Sequence, residues 1–168
     1  MRRRRISNAD AELLSVRAAR FEDVADILRL VEEAIEARCH DHYDAVQRRA
    51  VFLGYAANMF VDVLGPFETF TGELGGALAA VAQLDPAHGG LRALFVGGAF
   101  QGQGLGRAIL DHVEARARTL GCGQLGGAMS LNAVPFYTRA GYRPVDGPER
   151  LLTAGVRVPV VRMVKPLR

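Results

Sequence analysis

Three glycines at alternate positions, Gly102, Gly104 and Gly106, follow a short apolar run, Leu94–Val96, and open directly into an amphipathic helix. A turn of this kind leaves the main chain uncovered. Several N–H groups can then converge at a helix start, where the peptide dipoles already favour negative charge. The chemistry predicted is the cradling of a phosphate-bearing ligand. A Walker loop is excluded, because it needs a lysine after its second glycine and neither the turn nor the following helix contains one. A dinucleotide fingerprint fits poorly too: counted from Gly102 and Gly104, the third glycine position is Arg107.

The spacing that does fit is Gln-x-x-Gly-x-Gly, with Gln101, Gly104 and Gly106 at the fixed places. About thirty residues on, Ser130-Leu131-Asn132-Ala133-Val134-Pro135-Phe136-Tyr137-Thr138-Arg139-Ala140-Gly141-Tyr142 fits Ser-x-Asn-Ala-x-x-Phe-Tyr-x-x-x-Gly-Phe/Tyr at every fixed position. In these two motifs, in this order, the chain resembles the GCN5-related N-acetyltransferases (GNAT), over roughly residues 12 to 166. One departure is Gly98, which stands where that family often carries a proline.

The resemblance implies an α/β (α+β) fold. Its central mixed sheet has six to seven strands, mostly antiparallel with a splayed parallel pair, and is flanked by about four helices. It implies acetyl-CoA as co-substrate, with the pantetheine arm between the splayed strands against Leu94, Phe95 and Val96, and the Val96 N–H polarising the thioester carbonyl. The pyrophosphate would lie on amides of Gly102, Gln103, Gly104, Leu105 and Gly106, with Gln101 at the lip. Tyr137 matches the tyrosine that protonates the departing thiolate; the bland reading is a packing tyrosine beside Phe136. Asn132 reads either as a helix N-cap or as a partner of the cofactor arm. The implied reaction moves acetyl directly to a primary amine of a small molecule or peptide. The competing reading is a non-catalytic acyl-CoA-binding sensor or interaction domain.

The base is where the residues give least. The strand Leu91–Phe95 has no carboxylate, and His88, Asp85, Glu73 and His42 are candidates only as turn or link residues. His112 reads as packing and Cys122 as a core thiol. The acceptor surface is expected on Glu22–Leu64 and the loop Asp146–Gly155, with Arg38, Arg143 or Arg150 available to a carboxylate.

These groups need a scaffold, and composition bounds it. A chain of 168 residues, 49% hydrophobic, suits one core: residues 1–11 as a basic, disordered tail and 12–168 as one N-acetyltransferase domain. The net charge of +3 comes from Arg2–Arg5, without which acidic residues outnumber basic ones, so nucleic-acid binding is disfavoured. No apolar run is long enough to span a membrane, and the two cysteines form no paired motif, which points to a cytoplasmic protein. A homodimer is compatible with the sequence. Cys39-His40-Asp41-His42 invites a metal reading, but consecutive residues in a short link rarely converge on one ion, so no metal is expected.

Periodicity then places the elements. A strand is expected over Leu13–Arg17. A helix follows from Glu22 with Val24, Ile27, Leu28, Val31 and Ile35 on one face, frayed at its start because Arg20 is a poor cap. A second helix, Asp44–Leu64, shows a stripe of Val46, Ala50, Leu53, Ala57, Val61 and Leu64, with a bend near Gly54. Phe67–Thr71 and Leu74–Leu84 form a hairpin about Gly72–Glu73, antiparallel to Leu91–Val96. The helix Leu105–Leu120 buries Leu105, Ala108, Ile109, Val113, Ala117 and Leu120, leaving Arg107, Asp111, Glu114 and Arg118 outside. A strand at Gly123–Met129 runs parallel to Leu91–Val96, and Val156–Val164 is the last.

Overall fold

The strand that carries Leu94 and Val96 pairs along nearly its whole length on one side and almost not at all on the other, and the fold is arranged around that asymmetry. The computed structural model describes residues 14–145, 147 and 149–168, with backbone alone at residues 58 and 60–64. The basic tail with Arg2–Arg5, the expected strand start at Leu13, Asp146, and the side chains of Val61 and Leu64 lie outside the described residues.

The strands are β1 (Ser15–Ala18), β2 (Glu68–Leu74), β3 (Ala77–Asp85), β4 (Gly90–Val96), β5 (Gln124–Ser130), β6 (Arg143–Pro144), β7 (Glu149–Thr153) and β8 (Val156–Pro166). The helices are α1 (Val24–Arg38), α2 (Ala45–Leu64), α3 (Leu105–Thr119) and α4 (Val134–Arg139). They form one eight-stranded sheet in the order β1-β2-β3-β4-β5-β8-β6, with β7 also paired to β8. All neighbours are antiparallel except β4 and β5, which α3 connects and which are therefore parallel. The sheet exceeds the expected size because part of the expected loop Asp146–Gly155 is strand: β7 pairs with β8 from Glu149↔Val160 to Thr153↔Val156.

Two apolar clusters fill the faces. Ile109, Leu110 and Val113 of α3 pack on Leu84, Leu91, Leu125 and Met163. On the opposite face Val24, Ile27, Val31 and Ile35 of α1 and Met59 of α2 pack on Val81 and Val158. The α1 face is thus the one its spacing predicts. Its entry is tied down rather than frayed: Phe21–Asp23 form a 3-10 turn, and the Asp23 carboxylate accepts the Arg20 N–H at 2.7 Å.

Five expectations are corrected. In α2, Val46 and Leu53 are exposed, at 64% and 39%, while Ala50 and Met59 are buried and Val51, Phe52 and Tyr55 face the sheet. From Ala50 on, that helix is apolar on more than one face, so two stripes compete and the sheet takes the one with larger side chains. It also runs unbroken through Gly54 and starts on a capping box, the Asp44 carboxylate accepting the Gln47 N–H at 2.8 Å. The β2–β3 turn is at Gly75–Gly76, whose positive φ angles of 60° and 80° suit a tight hairpin; Gly72 stays in the strand at a register shift. Glu114 is 2% exposed rather than outside. Both its carboxylate oxygens accept from the Lys165 ammonium, at 2.8 and 2.7 Å, and Oε1 also accepts the Tyr142 hydroxyl at 3.3 Å. Leu120 of the expected face is 41% exposed.

Candidate active site

The parallel pair is one residue pair long, Gly90↔Gly126, beyond which β4 and β5 part. On its other edge β4 stays paired with β3, and the Gly97 N–H reaches the Ala79 carbonyl at 2.9 Å. Strand alternation then directs the N–H and C=O of Ala93 and Phe95 to β3, and those of Leu94 and Val96 to the gap. Main-chain groups facing such a gap suit an extended amide-bearing ligand. The Val96 carbonyl accepts from Gln101 Nε2 at 3.2 Å, so Gln101 folds back toward the strand instead of standing at the lip.

Past Val96 the chain makes a 3-10 turn, Gly98–Phe100, then bends through Gly102 and Gly104 at φ 76° and 80°, which side-chain-bearing residues rarely adopt. Gly104 is the N-cap of α3 and provides no side-chain cap, and the first turn holds no acidic residue. The first intrahelical bond runs from the Ala108 N–H to the Gly104 carbonyl at 3.1 Å, so the amides of Leu105, Gly106 and Arg107 have no helical partner. Gly106 lies under Phe136 and Val96, whose atoms would stand 3.4–3.5 Å from an added Cβ. The Gln103 amide nitrogen donates to the Ala99 carbonyl at 3.3 Å, while its Oε1 is buried without a partner.

A cavity of about 860 Å³ occupies the gap on the α1–α2 side. Of the predicted site residues, Leu94, Phe95 and Tyr137 line it. Tyr137 is 5% exposed, edge-on to Phe136 at 5.0 Å and to Tyr142 at 5.4 Å. Burial pushes its hydroxyl well above the usual tyrosine range, and Tyr55 adds to the shift. Asn132 caps no helix: it sits within the 3-10 turn Leu131–Ala133, and its Oδ1 accepts the Cys39 thiol at 3.3 Å. Burial raises that thiol to about 11, which keeps it protonated.

Sequence reasoning missed Tyr55 and Tyr43, which also line the cavity. The Tyr55 hydroxyl donates to the Arg92 carbonyl at 3.0 Å, its ring lies edge-on to Phe95 at 5.0 Å, and burial raises its pKa to about 12. The four-residue step from Tyr55 to buried Met59 was the available signal. Tyr43 gave none. Its hydroxyl accepts the Leu131 N–H at 2.8 Å and donates to the Pro159 carbonyl at 2.7 Å, joining the α1–α2 link to β8.

Among the base candidates, Asp85 and His88 line the far end of the cavity, with His88 Nδ1 2.9 Å from the Asp85 carboxylate. Glu73 is engaged by Arg17 at 2.6 Å, and His42 is an exposed turn residue. His112 packs on the Phe70 ring at 4.9 Å, and burial lowers its pKa. The half-buried Cys122 thiol faces the Pro86 carbonyl at 3.6 Å. The arginines lining the cavity are Arg48, Arg92 and Arg162 rather than the expected Arg38, Arg143 or Arg150.

In fold the chain is similar to the GCN5-related N-acetyltransferase of Rhodopseudomonas palustris, at 23% identity over 92% of this chain and 96% of that one, with a TM-score of 0.86. It is similar also to the PaiA N-acetyltransferase of Thermoplasma acidophilum, solved with coenzyme A, at 13% identity over 91% and 98% of the two chains, with a TM-score of 0.71. The spermidine N-acetyltransferase SpeG of Vibrio cholerae, an N152L mutant, gives 16% identity over 93% and 95%, with a TM-score of 0.63. No curated protein sequence matches the chain. The architecture is therefore that of an N-acetyltransferase. The model of the GNAT acetyltransferase domain matches residues 56–166, most of the chain, and the chain belongs to that family of enzymes.

Proposed function

We propose that this enzyme moves an acetyl group from acetyl-CoA directly to a primary amine of a small molecule or peptide. The observation that carries the reading is the one-pair ladder between β4 and β5, which turns the main-chain groups of Leu94 and Val96 toward an open gap beside an uncapped helix start. The residues present suit the ligand: free amides at Leu105–Arg107 for a pyrophosphate, and the orphaned Gln103 Oε1 for a donor. Bound acetyl-CoA supplies an activated acyl carbon and a thiolate leaving group.

The chain's own residues do the rest. The Val96 N–H is directed to the side where a thioester carbonyl would lie and stabilises negative charge growing on its oxygen. Tyr137, kept protonated by burial, donates its hydroxyl proton to the leaving sulfur as the C–S bond breaks. The amine attacks in its neutral form; the proton it sheds passes to solvent, and a solvent proton restores the Tyr137 hydroxyl. Asn132, bound to Cys39 rather than to a helix end, keeps its amide N–H₂ for the cofactor arm.

Calorimetric titration with acetyl-CoA, then thiol release over a panel of amines, tests the reading. Saturable binding with turnover that Tyr137→Phe slows by about 100-fold is the expected result. Binding without turnover of any amine would make the chain an acyl-CoA sensor instead.

A further inference from the structure

Resting on that reading, we infer that the acceptor carries an anionic group, a carboxylate by preference, received by Arg92, an exposed residue on the cavity wall, several bonds away from the amine that is acetylated. Among the described residues the cavity wall has three arginines against one carboxylate, Asp85. Asp85 is already engaged, by His88 at 2.9 Å and by the Ala87 N–H at 3.0 Å. Arg48 is matched by Glu36 at 3.1 Å, and Arg162 by both oxygens of Glu149 at 3.0 and 2.8 Å. Arg92 differs. Its guanidinium lies over the Phe67 ring at 4.0 Å, and among the described residues no carboxylate is within ion-pair distance of it.

A guanidinium stacked by its face keeps its edge N–H groups for an in-plane acceptor, the geometry in which arginine grips a carboxylate with two bonds. Arg92 is also the extra residue of a bulge. The register runs Leu84↔Leu91 and then Gln83↔Ala93, so Arg92 has no partner on β3 and its side chain is re-aimed locally. The Tyr55 hydroxyl, bonded to the Arg92 carbonyl at 3.0 Å, holds that bulge against α2. Arg92 precedes Val96, whose N–H is assigned to the thioester, by four residues, about 13 Å along a strand, which sets the scale of separation between the anion and the reacting amine. The same wall disfavours polycationic acceptors, which need carboxylates where this cavity offers arginines.

The test compares acceptor pairs that differ only in the anion, aminohexanoate against pentylamine and a dipeptide against its C-terminal amide, by thiol release from acetyl-CoA. The carboxylate member is expected to show a kcat/KM at least about 10-fold higher, expressed mainly in KM. Arg92→Glu should invert the preference toward diamines, and Arg92→Lys should restore part of it, with thermal melts showing all variants folded. No preference in the unaltered protein, or an Arg92→Glu profile like its own, overturns the proposal. If no acceptor is turned over, the catalytic reading fails separately. The anion subsite is then read by melting the acetyl-CoA-loaded protein with each pair: stabilisation by the carboxylate member alone, lost in Arg92→Glu, supports it, and equal responses overturn it.

Discussion

The two walls of the gap use different parts of the chain. Toward α3 the wall is main chain: glycines, an uncapped helix start and the peptide groups of Leu94 and Val96, with side chains largely absent. Toward α1 and α2 it is side chain: Tyr43, Tyr55 and Tyr137 hydroxyls, a buried thiol and arginines from three separate elements. A wall of amides recognises what any ligand of one chemical type shares, namely phosphates and amides. A wall of side chains discriminates, because each substitution changes its shape and charge without disturbing the backbone. The proposed mechanism puts catalysis where the walls meet, at Tyr137.

That contrast can be broken at either wall. The largest effect is expected where they meet: Tyr137→Phe should lower kcat by about 100-fold while the acetyl-CoA Kd from calorimetry stays within about twofold. Because burial holds the Tyr137 hydroxyl above its ordinary value, the phenol stays protonated up to and beyond pH 10, its usual titration point. Any alkaline decline in rate below that pH should therefore persist unchanged in the Phe variant. Next, Gly104→Val forces a branched side chain into φ 80° and should weaken acetyl-CoA binding by about 30-fold, with a smaller effect on the melting temperature. On the other wall, Tyr55→Phe removes one bond to the Arg92 carbonyl. It should raise acceptor KM by about fivefold and leave the acetyl-CoA Kd alone.

The smallest effect lies away from both walls. Arg17 pairs with Asp23 at 2.7 Å and holds its carboxyl down near 2, against 3.8 for the ordinary group. The pair stabilises the fold above the ordinary value and loses that contribution as pH falls from 3.8 toward 2. Asp23→Asn should accordingly flatten the acid limb of a denaturant-melt series in that window.

The main-chain wall was largely legible in the sequence because it is local. The run from Leu94 to Gly106 needs only its own glycines and the period of the helix behind it to declare a ligand loop. Even there a contact escaped, since nothing in the order of residues says that Gln101 turns back to Val96. The side-chain wall was illegible for the opposite reason. Tyr55, Arg92 and Arg162 lie on three elements that only the sheet brings together, and each alone reads as an ordinary helix or strand residue. Arg38, Arg143 and Arg150 were as plausible as the arginines that line the cavity. Glu114 was misread likewise, because beside Arg118 on its own helix its nearer countercharge comes from Lys165, 51 positions away. The α2 stripe failed because a helix apolar on more than one face leaves its orientation to tertiary packing.

The Glu114–Lys165 pair bears on how the protein can be handled. The helix that offers its amides to a ligand is fastened, near its far end, to the last residues of β8. Trimming the chain from Lys165 onward would remove the nearer of two cations from a buried carboxylate, leaving it only Arg118 at 3.4 Å and the Tyr142 hydroxyl, and would destabilise the packing of α3 on the sheet. A purification handle added after Arg168 leaves the tether whole, whereas a shortened clone loosens the lever on which the amide cradle rides.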